Sequence, residues 1–209
     1  MFDDYLRRRL QRPLARLAAV LDRPGITADR LTAAGLTLGL ASAAAAALTL
    51  WWLSLALWLT SRLADGLDGP LARLQRSRDP ARSDAGAGGF FDITADFLVY
   101  GSTVFGVAVG AAAAYGAPWW PFLLVLLAYY VNGTAFLAFS SIAERSDRGL
   151  DDSRSLSFLG DLAEGAETMV VHSLWLVFSA LAWQIALGWA ALVFASSVQR
   201  MVVGYRSLR

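Results

Sequence analysis

The chain has 209 residues, 56% of them hydrophobic, a mean hydropathy of +0.48 and a formal net charge of +1. This composition excludes an ordinary soluble domain, the near-neutral balance gives no field for nucleic acid, and the absence of cysteine excludes disulfides, thiolate metal sites and a cysteine nucleophile. At about 20 residues per membrane span, the length suffices for several spans in a single membrane domain over 1–209, without room for a second folded domain.

Residues 2–23 open the chain with an amphipathic pattern. Leu6, Leu10, Leu14, Leu17 and Leu21 recur at helical spacing on one face, and Arg7, Arg8, Arg9, Arg12 and Arg16 crowd the remainder. This predicts a helix over 1–25 that lies in the membrane surface or packs on the end of the bundle, closed by Pro24-Gly25. The charged run Met1–Arg16 lacks the apolar core of a cleavable signal peptide.

Six apolar segments then fill 31–205, near 31–53, 54–75, 89–114, 119–143, 158–182 and 184–205. Trp51-Trp52 read as the aromatic end of the first span. Gly116-Ala117-Pro118 reads as a turn, and a tight turn is expected around Trp183. Every cation is Arg, so orientation is read from Arg alone. The segments before span one, between spans two and three, between four and five, and after six all carry Arg, whereas the turns around Trp52, Pro118 and Trp183 carry none. By the positive-inside rule both termini are cytoplasmic, in agreement with an even span count. The predicted fold class is an all-α integral membrane bundle of six transmembrane helices preceded by an amphipathic interfacial helix.

Four acids break the apolar pattern. Asp65 and Asp68 fall in the cytoplasmic half of span two, and Asp92 and Asp96 at the start of span three. An ionisable side chain at the centre of a bilayer costs roughly 2.5–3.5 kcal/mol, so several at one level signal function. The i, i+3 and i, i+4 spacings put each pair on one helix face, and two antiparallel spans can oppose those faces. Carboxylates at that density repel one another unless a cation sits among them, and hard divalent cations take such oxygens together with substrate phosphates. Gly69 and Ala72 leave space for a ligand near the backbone, and Arg73 adds a fixed charge suited to phosphate. Pro70 is expected to kink span two or to be tolerated there.

These residues resemble the signature of the CDP-alcohol phosphotransferases, D-x2-D-G-x2-A-R-x8-G-x3-D-x3-D, at every defined position: Asp65, Asp68, Gly69, Ala72, Arg73, Gly88, Asp92 and Asp96. The spacing departs once. Leu74 to Ala87 span fourteen residues where the family has about eight, an insertion of the kind that loops accommodate. Thr27-Ala28-Asp29-Arg30-Leu31-Thr32 is similar to the family's T-P-N-x-L-T opening of the first span, with Asp29 where Asn is usual. The resemblance implies a bacterial inner-membrane enzyme whose site faces the cytoplasm. It implies two divalent cations, Mg²⁺ or Mn²⁺, on Asp65, Asp68, Asp92 and Asp96, and a nucleotide site made by Gly69, Ala72, Arg73 and Gly88. It also implies a CDP-alcohol donor, commonly CDP-diacylglycerol, Asp96 as general base on a small polar alcohol, release of CMP, and a homodimer among membrane lipids.

The acceptor side is carried by weaker signals. Arg200 lies inside the last apolar segment and is the candidate for an acceptor phosphate. Glu164 and Glu167 form a second i, i+3 acidic pair that either bounds an acceptor pocket or pairs with an Arg across the bundle. His172, the only histidine, lies deeper and reads as a hydrogen-bonded bundle residue. A CDP-linked small alcohol with a diacylglycerol-like acceptor is the alternative within the class. A cation transporter is the alternative outside it, and predicts ionisable residues spread through the membrane depth rather than at one level.

Overall fold

A computed structural model describes residues 13–79, 86–145 and 165–209. Among these residues there is no strand, and the chain runs as α1 (13–21), α2 (Ala28–Ala47), α3 (Trp51–Arg78), α4 (Ala87–Tyr115), α5 (Trp120–Arg145), α6 (Gly165–Val177), a short 3₁₀ turn (Ser179–Leu181) and α7 (Ala182–Leu208). Among the described residues, four stretches are long and apolar enough to cross a membrane: Ala28–Ala47, Ala87–Tyr115, Trp120–Ile142 and Ser179–Leu208. With 28 residues rising 1.5 Å each, α3 reaches about 42 Å and exceeds a hydrocarbon core, but it carries charge through its second half.

Two turns differ from the sequence expectation. Trp51 and Trp52 open α3 instead of closing the first span. The break is at Leu48–Leu50, where Thr49 takes a left-handed φ of 61° and the Leu48 and Leu50 amides donate back to Ala44 and Ala45 at 3.1 and 2.9 Å. No Gly or Pro marks that turn, so composition gives no signal for it. Likewise the last turn lies at Phe178–Leu181, with Phe178 N–H on the Leu174 carbonyl at 2.8 Å, and Trp183 is already inside α7. Pro70 sits within an uninterrupted α3.

Of the helix expected over 1–25, residues 13–21 form α1 and residues 1–12 lie outside the described ones. Ala18 is buried and Leu14 approaches Gly66 of α3, while Leu17 is 47% exposed. The helix therefore packs on the bundle with part of its apolar face left uncovered.

Helix α2 lies between α3 and α4, and α5 pairs with α7. Small residues set the first contact, as expected where backbones approach closely in a membrane bundle. A Cβ on Gly106 of α4 would run into the Ala43 carbonyl of α2. Ser42 and Ser54 exchange hydroxyl-to-carbonyl bonds of 2.8 Å between α2 and α3, and Ser61 donates to the Gly35 carbonyl at 2.7 Å. Trp58, Val99, Val104, Val107, Phe122 and Trp175 fill the core. This packing fixes the register of α3 against α4, and so where their acidic faces meet.

Candidate metal and substrate site

Asp65 and Asp68 project from α3, and Asp92 and Asp96 from the first turns of α4. One carboxylate oxygen from each of Asp65, Asp68 and Asp92 lies within 4.8 Å of the others. Two oxygens on opposite sides of an ion bound at about 2.0–2.6 Å are roughly 4–5 Å apart, so these three residues fit a divalent cation with little adjustment. Asp68 is the buried member, 6% exposed, and accepts a 2.6 Å hydrogen bond from the Thr32 hydroxyl of α2. Thr32 is the last residue of the Thr27–Thr32 segment, and its hydroxyl ties α2 to the Asp68 carboxylate of α3.

Asp96 stands one turn further along α4, outside this trio. Its Oδ1 accepts from Arg62 NH1 at 2.6 Å, and the same nitrogen is 3.6 Å from Asp65 Oδ2. Arg62 is a site residue that the sequence reading missed. The available signal was its place one helical turn before Asp65 in an apolar segment, where an ionisable residue is a functional candidate by default.

Two cavities flank the acids. The first, about 400 Å³, is walled by Thr27, Asp29, Thr32, Asp68, Gly69, Ala72, Arg73, Gly88 and Asp92. All four residues expected at the nucleotide line it, with Arg73 exposed along one wall. Its floor is tied down from behind, because Gln75 donates to the Ile26 carbonyl at 2.8 Å and Arg78 pairs with Asp22.

The second cavity, about 440 Å³, has Asp96 in its wall together with Tyr100, Tyr129, Asn132, Phe136, Thr168 and Arg200. The Arg200 guanidinium lies over the Phe136 ring at 5.1 Å. Arg200 thus lines the same cavity as Asp96. Glu167 is not in that wall; its Oε2 is buried with no hydrogen-bond partner among the described residues. Glu164 falls outside the described residues. His172 is buried, shares a 2.9 Å hydrogen bond with the Tyr129 hydroxyl and stacks on Trp58 at 4.9 Å. It belongs to the packing behind the second cavity.

Aspartates therefore join two chambers. One has glycine, alanine and arginine walls suited to a phosphate-bearing head, and the other has aromatic walls with a single guanidinium. Among curated proteins, the chain is 36% identical over 213 residues to the protein described as "Inner membrane protein YnjF" of Escherichia coli (strain K12), covering 100% of this chain and 98% of that protein. No family model matches the chain, and no solved structure does.

Proposed function

The chain belongs to the family of the Escherichia coli inner membrane protein YnjF, and for this bacterial membrane protein we propose the activity of a metal-dependent CDP-alcohol phosphotransferase. In this reading it crosses the inner membrane six times, keeps both termini and the acidic site on the cytoplasmic side, holds its N-terminal helix at the interface, and works as a homodimer. The observation that carries the reading is the convergence of Asp65, Asp68 and Asp92 to within 4.8 Å beside a cavity walled by Gly69, Ala72, Arg73 and Gly88. Residues from two helices and from both halves of one sequence pattern meet there.

Divalent cations, Mg²⁺ or Mn²⁺, held by Asp65, Asp68 and Asp92 would supply charge neutralisation on a pyrophosphate. The chain's own residues do the rest. Gly69 and Gly88 let the nucleotide head approach the helix backbones, and Arg73 meets phosphate oxygens. Asp96 accepts the proton of the acceptor hydroxyl. The resulting oxygen forms a bond to the phosphorus that bears the alcohol, the bond from that phosphorus to the CMP oxygen breaks, and CMP leaves with the electron pair. Such a transfer requires alignment and charge stabilisation more than covalent chemistry.

CDP-diacylglycerol with a small polar acceptor is the first assignment, with Arg200 on an acceptor phosphate. The apolar rim of the second cavity, where Phe97 and Tyr130 are exposed, favours the reverse assignment, a CDP-linked small alcohol with a diacylglycerol-like acceptor. Incubation of the purified protein with each labelled donor, Mg²⁺ or Mn²⁺, and a panel of acceptors distinguishes them by lipid product. Metal-dependent CMP release is expected, and EDTA abolishes it. No CMP from any pair, together with cation flux into proteoliposomes, would establish a transporter instead.

A further inference from the structure

Arg62 has no place in the mechanism above, yet it is the most constrained cation among the described residues. It is 8% exposed. Its guanidinium is packed between two rings, 5.2 Å from Trp58 and 5.0 Å from Tyr100. Its NH2 donates to the Ser61 hydroxyl at 3.2 Å, and Ser61 in turn donates to Gly35 of α2. Trp58 is itself fixed, with its indole N–H on the Ser173 hydroxyl at 3.2 Å and its face on His172. Three helices therefore hold one guanidinium in place, with its charged end on Asp96 and the edge of Asp65.

Desolvating a guanidinium this far is costly unless paired charges and hydrogen bonds offset it, and here Asp96 and Asp65 are the partners. Four carboxylates at one level need compensating charge, and cations held among Asp65, Asp68 and Asp92 leave the charge of Asp96 to be met from elsewhere. Arg62 supplies that match from inside the protein. NH1 holds Asp96 through Oδ1, and Asp96 lies in the wall of the second cavity.

We propose that Arg62 is the positioning residue of Asp96: a ring-clamped guanidinium that withholds this carboxylate from the cation cluster and presents it to the acceptor cavity. The inference rests on the reading of the acids as a cation site, and it separates two roles that the acidic residues would otherwise share. It also has a consequence that no merely structural residue would have. The guanidinium repels cations from Asp65 while it occupies Asp96, so its removal exposes one more carboxylate to the cluster and deletes a like charge.

The test is titration of purified protein with Mn²⁺ alone, without substrate, beside turnover. Arg62→Gln binds Mn²⁺ at least ten-fold more tightly than the wild type while turnover falls at least a hundred-fold, and Asp96→Asn in the same background removes the gain in affinity. Arg62→Lys keeps wild-type Mn²⁺ affinity. Unchanged or weaker Mn²⁺ binding in folded Arg62→Gln overturns the proposal. If Arg62→Gln fails to fold, the single variants decide. Asp92→Asn weakens Mn²⁺ binding at least fifty-fold and Asp96→Asn less than five-fold, and equal losses overturn the proposal. A wild type that binds no Mn²⁺ refutes the cation-site reading itself, an outcome distinct from binding that ignores Arg62.

Discussion

Thr32→Val is the sharpest probe of how the site is held, because it removes one hydroxyl and keeps the side-chain shape. The Thr32 hydroxyl donates to Asp68 Oδ2 at 2.6 Å across the α2–α3 contact, at a carboxylate that is 6% exposed. A hydrogen bond to a charged group contributes about 1.5–3 kcal/mol, and its loss leaves a buried acceptor without compensation. If the bond holds Asp68 in its cation-binding orientation, that energy converts to roughly ten- to a hundred-fold weaker Mn²⁺ binding, and to a similar loss of CMP release at limiting cation. Thr32→Ser restores both, because the hydroxyl returns. Isothermal titration with Mn²⁺ and a CMP-release assay on both variants supply the numbers. The double variant Thr32→Val with Asp68→Asn should be no worse than Asp68→Asn alone, since the hydroxyl acts through that carboxylate. Mn²⁺ affinity and turnover within two-fold of wild type in Thr32→Val would refute the reasoning.

Asp96→Asn is expected to abolish CMP release while leaving metal-dependent nucleotide binding nearly intact, measured by turnover beside CMP affinity; full activity removes Asp96 from the role of base. Arg200→Ala should raise the acceptor KM roughly ten-fold or more through loss of a charged hydrogen bond, with the donor KM little changed. Equal rises in both constants would detach Arg200 from the acceptor. Gly106→Leu drives a side chain into the Ala43 carbonyl and is expected to destabilise the bundle by about 1–3 kcal/mol or more, read as a lower Tm in detergent. Gly188→Ala, where an added Cβ meets nothing within 4 Å, should be neutral or slightly stabilising, and an equal loss at both positions argues against close α2–α4 packing.

Much of the site is visible before any fold is known, because its requirements are local. The spacings of Asp65 with Asp68 and of Asp92 with Asp96 follow from helical periodicity alone, and so does the placement of Gly69, Ala72 and Arg73 beside the first pair. Charge inside an apolar segment is conspicuous in one dimension because the membrane penalises it. Helix ends without glycine or proline are not conspicuous, which is why residue type alone does not locate the Leu48–Leu50 and Phe178–Leu181 turns.

Sequence by itself determined that the chain is helical and membrane-bound, and which acids share a face, since both follow from residue type and a fixed helical repeat. Tertiary structure alone decided how the faces are used. It brought Thr32 of α2 onto Asp68, drew Asp65, Asp68 and Asp92 together, tied Asp96 to Arg62, and placed Arg200 of α7 in the wall of the cavity that Asp96 also lines. These pairings depend on how deeply α2, seated on small residues, sinks between α3 and α4, and on the rotation of each helix about its axis. Those are properties of packed side chains between segments, which no spacing within one segment encodes.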